Sequence, residues 1–347
     1  MKLSFRTLTA IWTGDAQGRA DRSVIETGIL GSMRWWYETL VRGVGGHVCS
    51  SVGNGSCLLD PNVKLPNPLP ADPAARRTLL HNTGLCDVCQ LFGATGWRRR
   101  FRLIVDDHGM RKSSVWQGEV VAGGRSYVRP NAPPNTSPKT PKWYFKDGAR
   151  EGAFDITLVP FGQDATPLAA ALLQFMADWA AIGARAQMGM GVAALAERVS
   201  TQPLYDQLAL VQGTQRYRDL PHLENMFFAR IHAPSGQREE MARMRYDLRR
   251  LFEKSQPVRH ALFGTVRGQR KGSKIKVSGP YGDPPEMRIW GWAAPQENPT
   301  ASFDAIYAKL HTIDPQLTWR QMNCTHDSKR NHTTPLAFIA DLLELTP

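Results

Sequence analysis

Acid is in short supply in this chain. Its 347 residues hold 31 Asp and Glu against 43 Lys and Arg, a formal net charge of +12. An excess of this size bears on partners more than on fold, and it favours a polyanion: nucleic acid first, an anionic membrane surface second. Long apolar runs are missing too. No stretch approaches the roughly 20 apolar residues that span a bilayer, which excludes an integral membrane protein. The opening MKLSFRTLTAIWTGD has no continuous apolar core of the signal-peptide kind, so the expected location is the cytoplasm. Cysteine is scarce at five residues, too few for a disulfide scaffold, and in a reducing compartment clustered thiols point to metal. No Ser-His-Asp, HExxH or paired-carboxylate grouping stands out.

What is present is patterned. The length suits two domains. Residues 2–12 alternate as a strand, and Ser32 to Gly43 read as a capped helix, LGSMRWWYETLVRG. FRLIVDD (101–107) and AFDITLVPF (153–161) alternate again. Thr166-Pro167 opens an apolar helix that Gly183 ends, and a short strand follows at 191–199. Strand, helix, strand, strand, helix, strand is the ferredoxin-like order. Two insertions interrupt it, an irregular one at 47–90 and a basic, Pro-rich one at 108–150. The second half has strands expected at 223–233, in ALFGTV (261–266), in KIKVSG (274–279) and in EMRIWGWAA (286–294). Helices are expected at 237–254, 302–311 and 335–345. The fold class is α+β: a first ferredoxin-like domain over 1–200 and a second over 201–347.

Four segments carry possible chemistry. Cys86 and Cys89 form a C-x-x-C, and Cys49 and Cys57 precede it in the same insertion. Four thiolates close a tetrahedral shell, so the expected cofactor is a structural zinc, with His47 and His81 as reserve ligands. Cys324 is remote and reads as a free thiol. In GWRRRFRL, Trp97 and Arg98, Arg99 and Arg100 mix aromatic and cation, suited to phosphate and base contact or, equally, to a solvated edge strand. GARAQMGMGV places Gly183, Gly189 and Gly191 between a helix and a strand, where exposed amides can cradle phosphate while Arg185 and Gln187 add donors. It lacks the pattern of a nucleotide P-loop. GTVRGQRKGSKIKVSGPY (264–281) carries Arg267, Arg270, Lys271, Lys274 and Lys276 without an acid, and the last two share one face of a strand.

Taken together, ILGSMRWWYETLVRG, CDVCQLFGATGWRRRFRL, GARAQMGMGV and MRIWGW resemble the RAMP superfamily of type III CRISPR proteins, and within it the first-named RAMP subunit of the Cmr (type III-B) complex. The resemblance implies tandem ferredoxin-like, RRM-type domains. It implies an RNA-binding subunit that meets crRNA toward its 3′ end, target single-stranded RNA and other RAMP subunits. It makes Gly183, Arg185, Gly189 and Gly191 RNA contacts and adds Arg34 as a phosphate ligand. In the cleaving relatives an Asp lies between the first strand and first helix. Asp21 is the positional match here, so a metal-dependent endoribonuclease is the alternative to a non-catalytic subunit.

Overall fold

The structure is a computed structural model that describes residues 1–14, 24–50, 55–113, 118–119, 142–143, 148–162, 164–265 and 268–345. Asp21 and most of the 108–150 insertion lie outside the described residues.

Alternation in the first strand segment produces β1 (Lys2–Thr7), whose Leu3 and Phe5 are buried while Lys2, Ser4 and Arg6 are exposed. It is followed by α1 (Glu26–Gly43), α2 (Pro73–Asn82), α3 (Asp87–Phe92), β2 (Phe101–Asp106), β3 (Met110–Lys112), β4 (Gly118–Glu119), β5 (Lys142–Trp143), β6 (Arg150–Pro160), α4 (Ala165–Trp179) and β7 (Ala193–Leu195). The sheet runs β2-β6-β1-β7, every pairing antiparallel, with β3 on the first residues of β6. Phe5 pairs in register with Phe154 and stacks on it at 5.2 Å. The two-residue strands β4 and β5 pair only with each other.

After α5 (Gln202–Leu210) the pattern repeats as β8 (Met226–His232), α6 (Glu240–Arg250), α7 (Gln256–Phe263), β9 (Lys276–Val277), β10 (Glu286–Trp292), α8 (Pro299–Ile313), β11 (Thr318–Gln321) and α9 (Pro335–Leu342). Its antiparallel sheet runs β11-β8-β10-β9. Insertions apart, both sheets place the fourth, first, third and second strands of a βαββαβ unit side by side, so the chain is a tandem ferredoxin-like α+β protein.

The two units stack as layers. On α1, Ile29, Met33, Trp36, Tyr37, Leu40 and Val41 follow helical spacing and are all buried. Trp36 reaches Phe175 of α4 at 5.6 Å and Phe228 of β8 at 5.9 Å. Met226, Phe228 and Trp290 of the second sheet thus belong to the core of the first unit. Phe227, Ala229 and Ile231 face the other way, toward Phe303 and Ile306 of α8. The result is sheet, α1 and α4, sheet, then α6 and α8. The first sheet has an open face, and the exposed residues of β1, β2, β3, β6 and β7 include no aromatic ring. The stacking platform of an RRM is therefore not on that face.

Several boundaries differ from expectation. Ser32 is not a cap: α1 begins six residues earlier, its start fixed by Val24 N–H to Asp107 Oδ2 (2.8 Å) and Ile25 N–H to Thr13 Oγ1 (2.7 Å). In ALFGTV the first three residues, 261–263, are the end of α7 and not a strand, bracketed by Pro257 in the first turn and Gly264 at φ +77°, and Val266 lies outside the described residues. The 47–90 insertion holds two helices, and α2 is capped by the Asp72 carboxylate on Ala75 N–H. α4 stops at Trp179, short of Gly183, because Arg288 donates to the carbonyls of Ala177 (2.5 Å) and Ala180 (3.4 Å), and Arg230 donates to that of Asp178 (2.5 Å).

Candidate nucleic-acid interface

Between the two units lies a cleft of about 640 Å³. One wall is α1 and the Gly-rich loop, contributing Ser32, Trp35, Gly183, Arg185 and Gln187; the other is the 271–276 turn and β10, contributing Lys271, Lys274, Lys276, Trp290 and Trp292. The motif GSMRWWY distributes its side chains by helical angle. Met33, Trp36 and Tyr37 go to the core, and Trp35 turns outward, 36% exposed, with its ring edge-on to Trp36 at 4.7 Å. Ser32 Oγ donates back to Ile29 O (2.8 Å) and accepts Gly183 N–H (3.1 Å), which docks the loop on the helix.

Gly183, at φ +83°, passes so close that a Cβ would sit 2.7 Å from Trp12 O, and at Gly191, φ +93°, it would sit 2.4 Å from Ile182 O. The amides of Gly183, Gly189 and Gly191 are donated inside the protein, to Ser32 Oγ, Ala186 O (3.1 Å) and Ala10 O (2.9 Å). Gly189 O in turn accepts Gly279 N–H (3.0 Å), tying the loop to the second unit. What the loop offers the cleft is side chains. Arg185 sits at φ +60° with its guanidinium 3.8 Å over the Trp12 ring, and Gln187 lines the cleft beside it.

The opposite wall supplies ammonium groups. Lys274 Nζ lies 2.6 Å from both Glu297 oxygens and 4.1 Å over the Trp292 ring. Lys276 donates to Ser273 O, and burial together with the nearby Arg245 guanidinium pushes its pKa down to about 8. Lys271 at the rim is exposed. Flat aromatic faces beside cations are what stacked bases and phosphates require.

The other candidates lie elsewhere, and none of them lines this cleft. Trp97 is half-buried and donates Nε1–H to Gln90 O (3.2 Å). Arg98 is exposed over the Phe161 ring at 4.2 Å, and Arg99 Nε donates to Phe101 O (2.7 Å). Arg100 is half-buried. All four lead into β2, the edge strand of the first sheet. Arg34 also faces away from the cleft: its Nη2 lies 3.2 Å from Cys89 Sγ. Lys271 belongs to the basic 264–281 segment already named, whereas Trp35, Trp290 and Trp292 are cleft residues that the sequence did not mark as RNA contacts. The signals were the three adjacent aromatics on α1 and the MRIWGW strand.

The sulfur atoms of Cys49, Cys57, Cys86 and Cys89 all lie within 4.8 Å of one another, and Cys49 Sγ and Cys89 Sγ are 3.6 Å apart. Sulfurs around a tetrahedral zinc at about 2.3 Å are about 3.8 Å apart, so the four cysteines can hold a metal ion. Backbone amides already point at sulfur: Cys86 N–H to Cys57 Sγ (3.2 Å) and Cys89 N–H to Cys86 Sγ (3.4 Å). Burial raises the Cys57 pKa to about 11, whereas hydrogen bonding from Cys89 lowers that of Cys86 to about 4. His81 is not part of the cluster; its Nε2 pairs with Asp87 Oδ1 at 2.7 Å, and His47 donates its amide to Asp87 Oδ2 at 2.8 Å.

Two stacked βαββαβ sheets with a cationic, aromatic cleft between them define a basic tandem ferredoxin-like protein. The RAMP superfamily profile matches residues 4–194, more than half of the chain, and the chain belongs to that superfamily. Among solved structures it is similar to apo Cmr1 from Pyrococcus furiosus, at 15% identity and TM-score 0.45, covering 92% of this chain and 97% of that one. It is also similar to a chain of type III-B Cmr-beta bound to cognate target RNA and AMPPnP in the presence of ssDNA, at 10% identity and TM-score 0.47, covering 90% and 99%. No curated protein sequence matches it. Among the described residues no helix is long and apolar enough to cross a membrane.

Proposed function

We propose that this RAMP protein is a non-catalytic, RNA-binding subunit of a type III-B (Cmr) CRISPR ribonucleoprotein, set toward the crRNA 3′ end, where it helps capture target RNA beside other RAMP subunits. The observation that carries this reading is the cleft, in which segments as far apart as residue 35 and residue 292 bring Trp35 and Trp292 together with Lys271, Lys274 and Lys276. Contact is mainly with phosphate, because a subunit serving many guides leaves sequence to base pairing. The four cysteines hold a structural zinc that staples the 47–90 insertion. Arg98, Arg99 and Arg100 form a second, separate phosphate surface.

Fluorescence anisotropy of labelled single-stranded RNA tests the reading. Replacing Lys271, Lys274 and Lys276 together by Ala should weaken unrelated RNA sequences alike. It should also flatten the log–log salt dependence by about 0.7 for each lysine–phosphate pair that the substitution removes. Weakening for one sequence only, or an unchanged salt slope, counts against it. In a reconstituted complex Asp21→Ala should leave target cleavage unchanged, and disappearance of a cut with assembly intact would make the chain a nuclease.

A further inference from the structure

Arg34 joins two places on α3 to α1. Its Nε donates to Glu38 Oε1 (3.0 Å), its Nη1 to Gly93 O (3.1 Å) and its Nη2 to Cys89 Sγ (3.2 Å). Gly93 ends α3, and Cys86 caps the start of the same helix with Cys89 one turn on. A single side chain of α1 therefore grips both the sulfur cluster and the far end of the short helix that supplies half of it. The next residue, Trp35, faces the cleft.

We propose that Arg34 is the positioning residue through which the four-cysteine site sets the Trp35 wall of the cleft, so that metal loading and RNA affinity are coupled. The proposal rests on the zinc and RNA readings given above. A divalent ion on four thiolates leaves a net charge of about −2 at a site where three of the four cysteines are buried. Such a charge calls for a nearby cation, and the Arg34 fork supplies one with an N–H aimed at sulfur. Without the ion nothing gathers the four sulfurs on one centre, and the Cys89 Sγ that Arg34 Nη2 meets at 3.2 Å is no longer held in place by a shared ligand shell. Glu38, one turn along its own helix, is then the carboxylate that remains on Arg34, and it is shared with Arg42, whose Nη2 holds Glu38 Oε2 at 2.8 Å. One tie from α1 to α3 slackens at the turn that carries Trp35.

The test uses the full chain, with zinc affinity read by competition against a chelating dye and RNA affinity read by anisotropy. In the unaltered protein, elemental analysis should find one zinc per chain. Chelation should weaken RNA binding by about fivefold or more, the ordinary size of a coupling between sites. Arg34→Met should weaken zinc binding by about 10- to 100-fold, as loss of an outer-shell partner does, and Arg34→Lys should recover part of that because it keeps the charge without the fork. Trp35→Ala should bind RNA weakly whether or not zinc is present. If Arg34→Met lowers only the melting temperature and leaves zinc affinity unchanged, Arg34 is a plain structural tie and the proposal falls. It falls equally if chelation leaves RNA affinity unchanged. A chain that binds RNA but no zinc overturns it through the zinc reading, and one that binds zinc but no RNA overturns it through the RNA reading.

Discussion

Lys276 is a cation kept largely out of water beside another cation. Arg245 on α6 is the like charge next to it, Lys274 is neutralised by Glu297, and Lys271 and Arg185 stand at the rim. Burial and Arg245 lower its pKa to about 8. Below that pH the amine is charged and can pair with a phosphate; above it the charge is lost unless a bound phosphate holds the proton. RNA affinity should thus be level up to about pH 8 and then fall by at most about tenfold per pH unit. Lys276→Arg should abolish the fall, because a guanidinium stays charged. An affinity that is flat well above that pKa, or an equal fall in the variant, would remove Lys276 from the RNA-binding residues. Its placement was legible, because alternation put Lys274 and Lys276 on one side and both line the cleft. Its lowered pKa was not, because that depends on a residue on another helix. Arg34 shows the same limit: the family resemblance implied phosphate, whereas the Cys89 sulfur beside it is brought there only by folding.

The end of α4 shows how elements are set from outside themselves. Nothing local stops this helix at Trp179; the residues after it, Ala180 and Ala181, are good helix formers. Arg230 and Arg288 stop it by taking its last carbonyls, and they come from paired positions on β8 and β10. Two arginines directly opposed across strands repel each other, and the negative end of the helix offsets that repulsion. Arg288→Ala should destabilise the protein by about 1–3 kcal/mol, since buried carbonyls lose their donor, which urea titration can measure. Zinc content should not change. The same distance from local signals explains α1, whose start is fixed by Asp107 and Thr13 rather than by Ser32. The end of α7 is different. Pro257 and Gly264 are ordinary helix brackets, and the apolar run between them reads as a strand because short apolar runs carry no periodicity that separates the two.

At the scale of the whole molecule, the alternation of strands and helices made the tandem ferredoxin-like order readable in outline. The layering was not readable, because amphipathic patterns say that a face is buried without saying against what. Here α1 and α4 are covered by one sheet on each side. Helices α5 and α9 join the same core, with Leu204, Leu208, Phe338, Ile339 and Leu342 buried beside Trp179. Trp179 Nε1–H also reaches Leu342 O at 2.8 Å. A fragment ending at residue 200 would lay bare Trp36, Phe175 and Trp179, and it should aggregate or stay partly folded. The middle helix layer has no owner between the two repeats. Melting one unit strips the other of half its interior, so scanning calorimetry on the whole chain should give a single endotherm whose van't Hoff and calorimetric enthalpies agree. Two resolved endotherms would mean that the repeats are thermodynamically separate despite the shared layer.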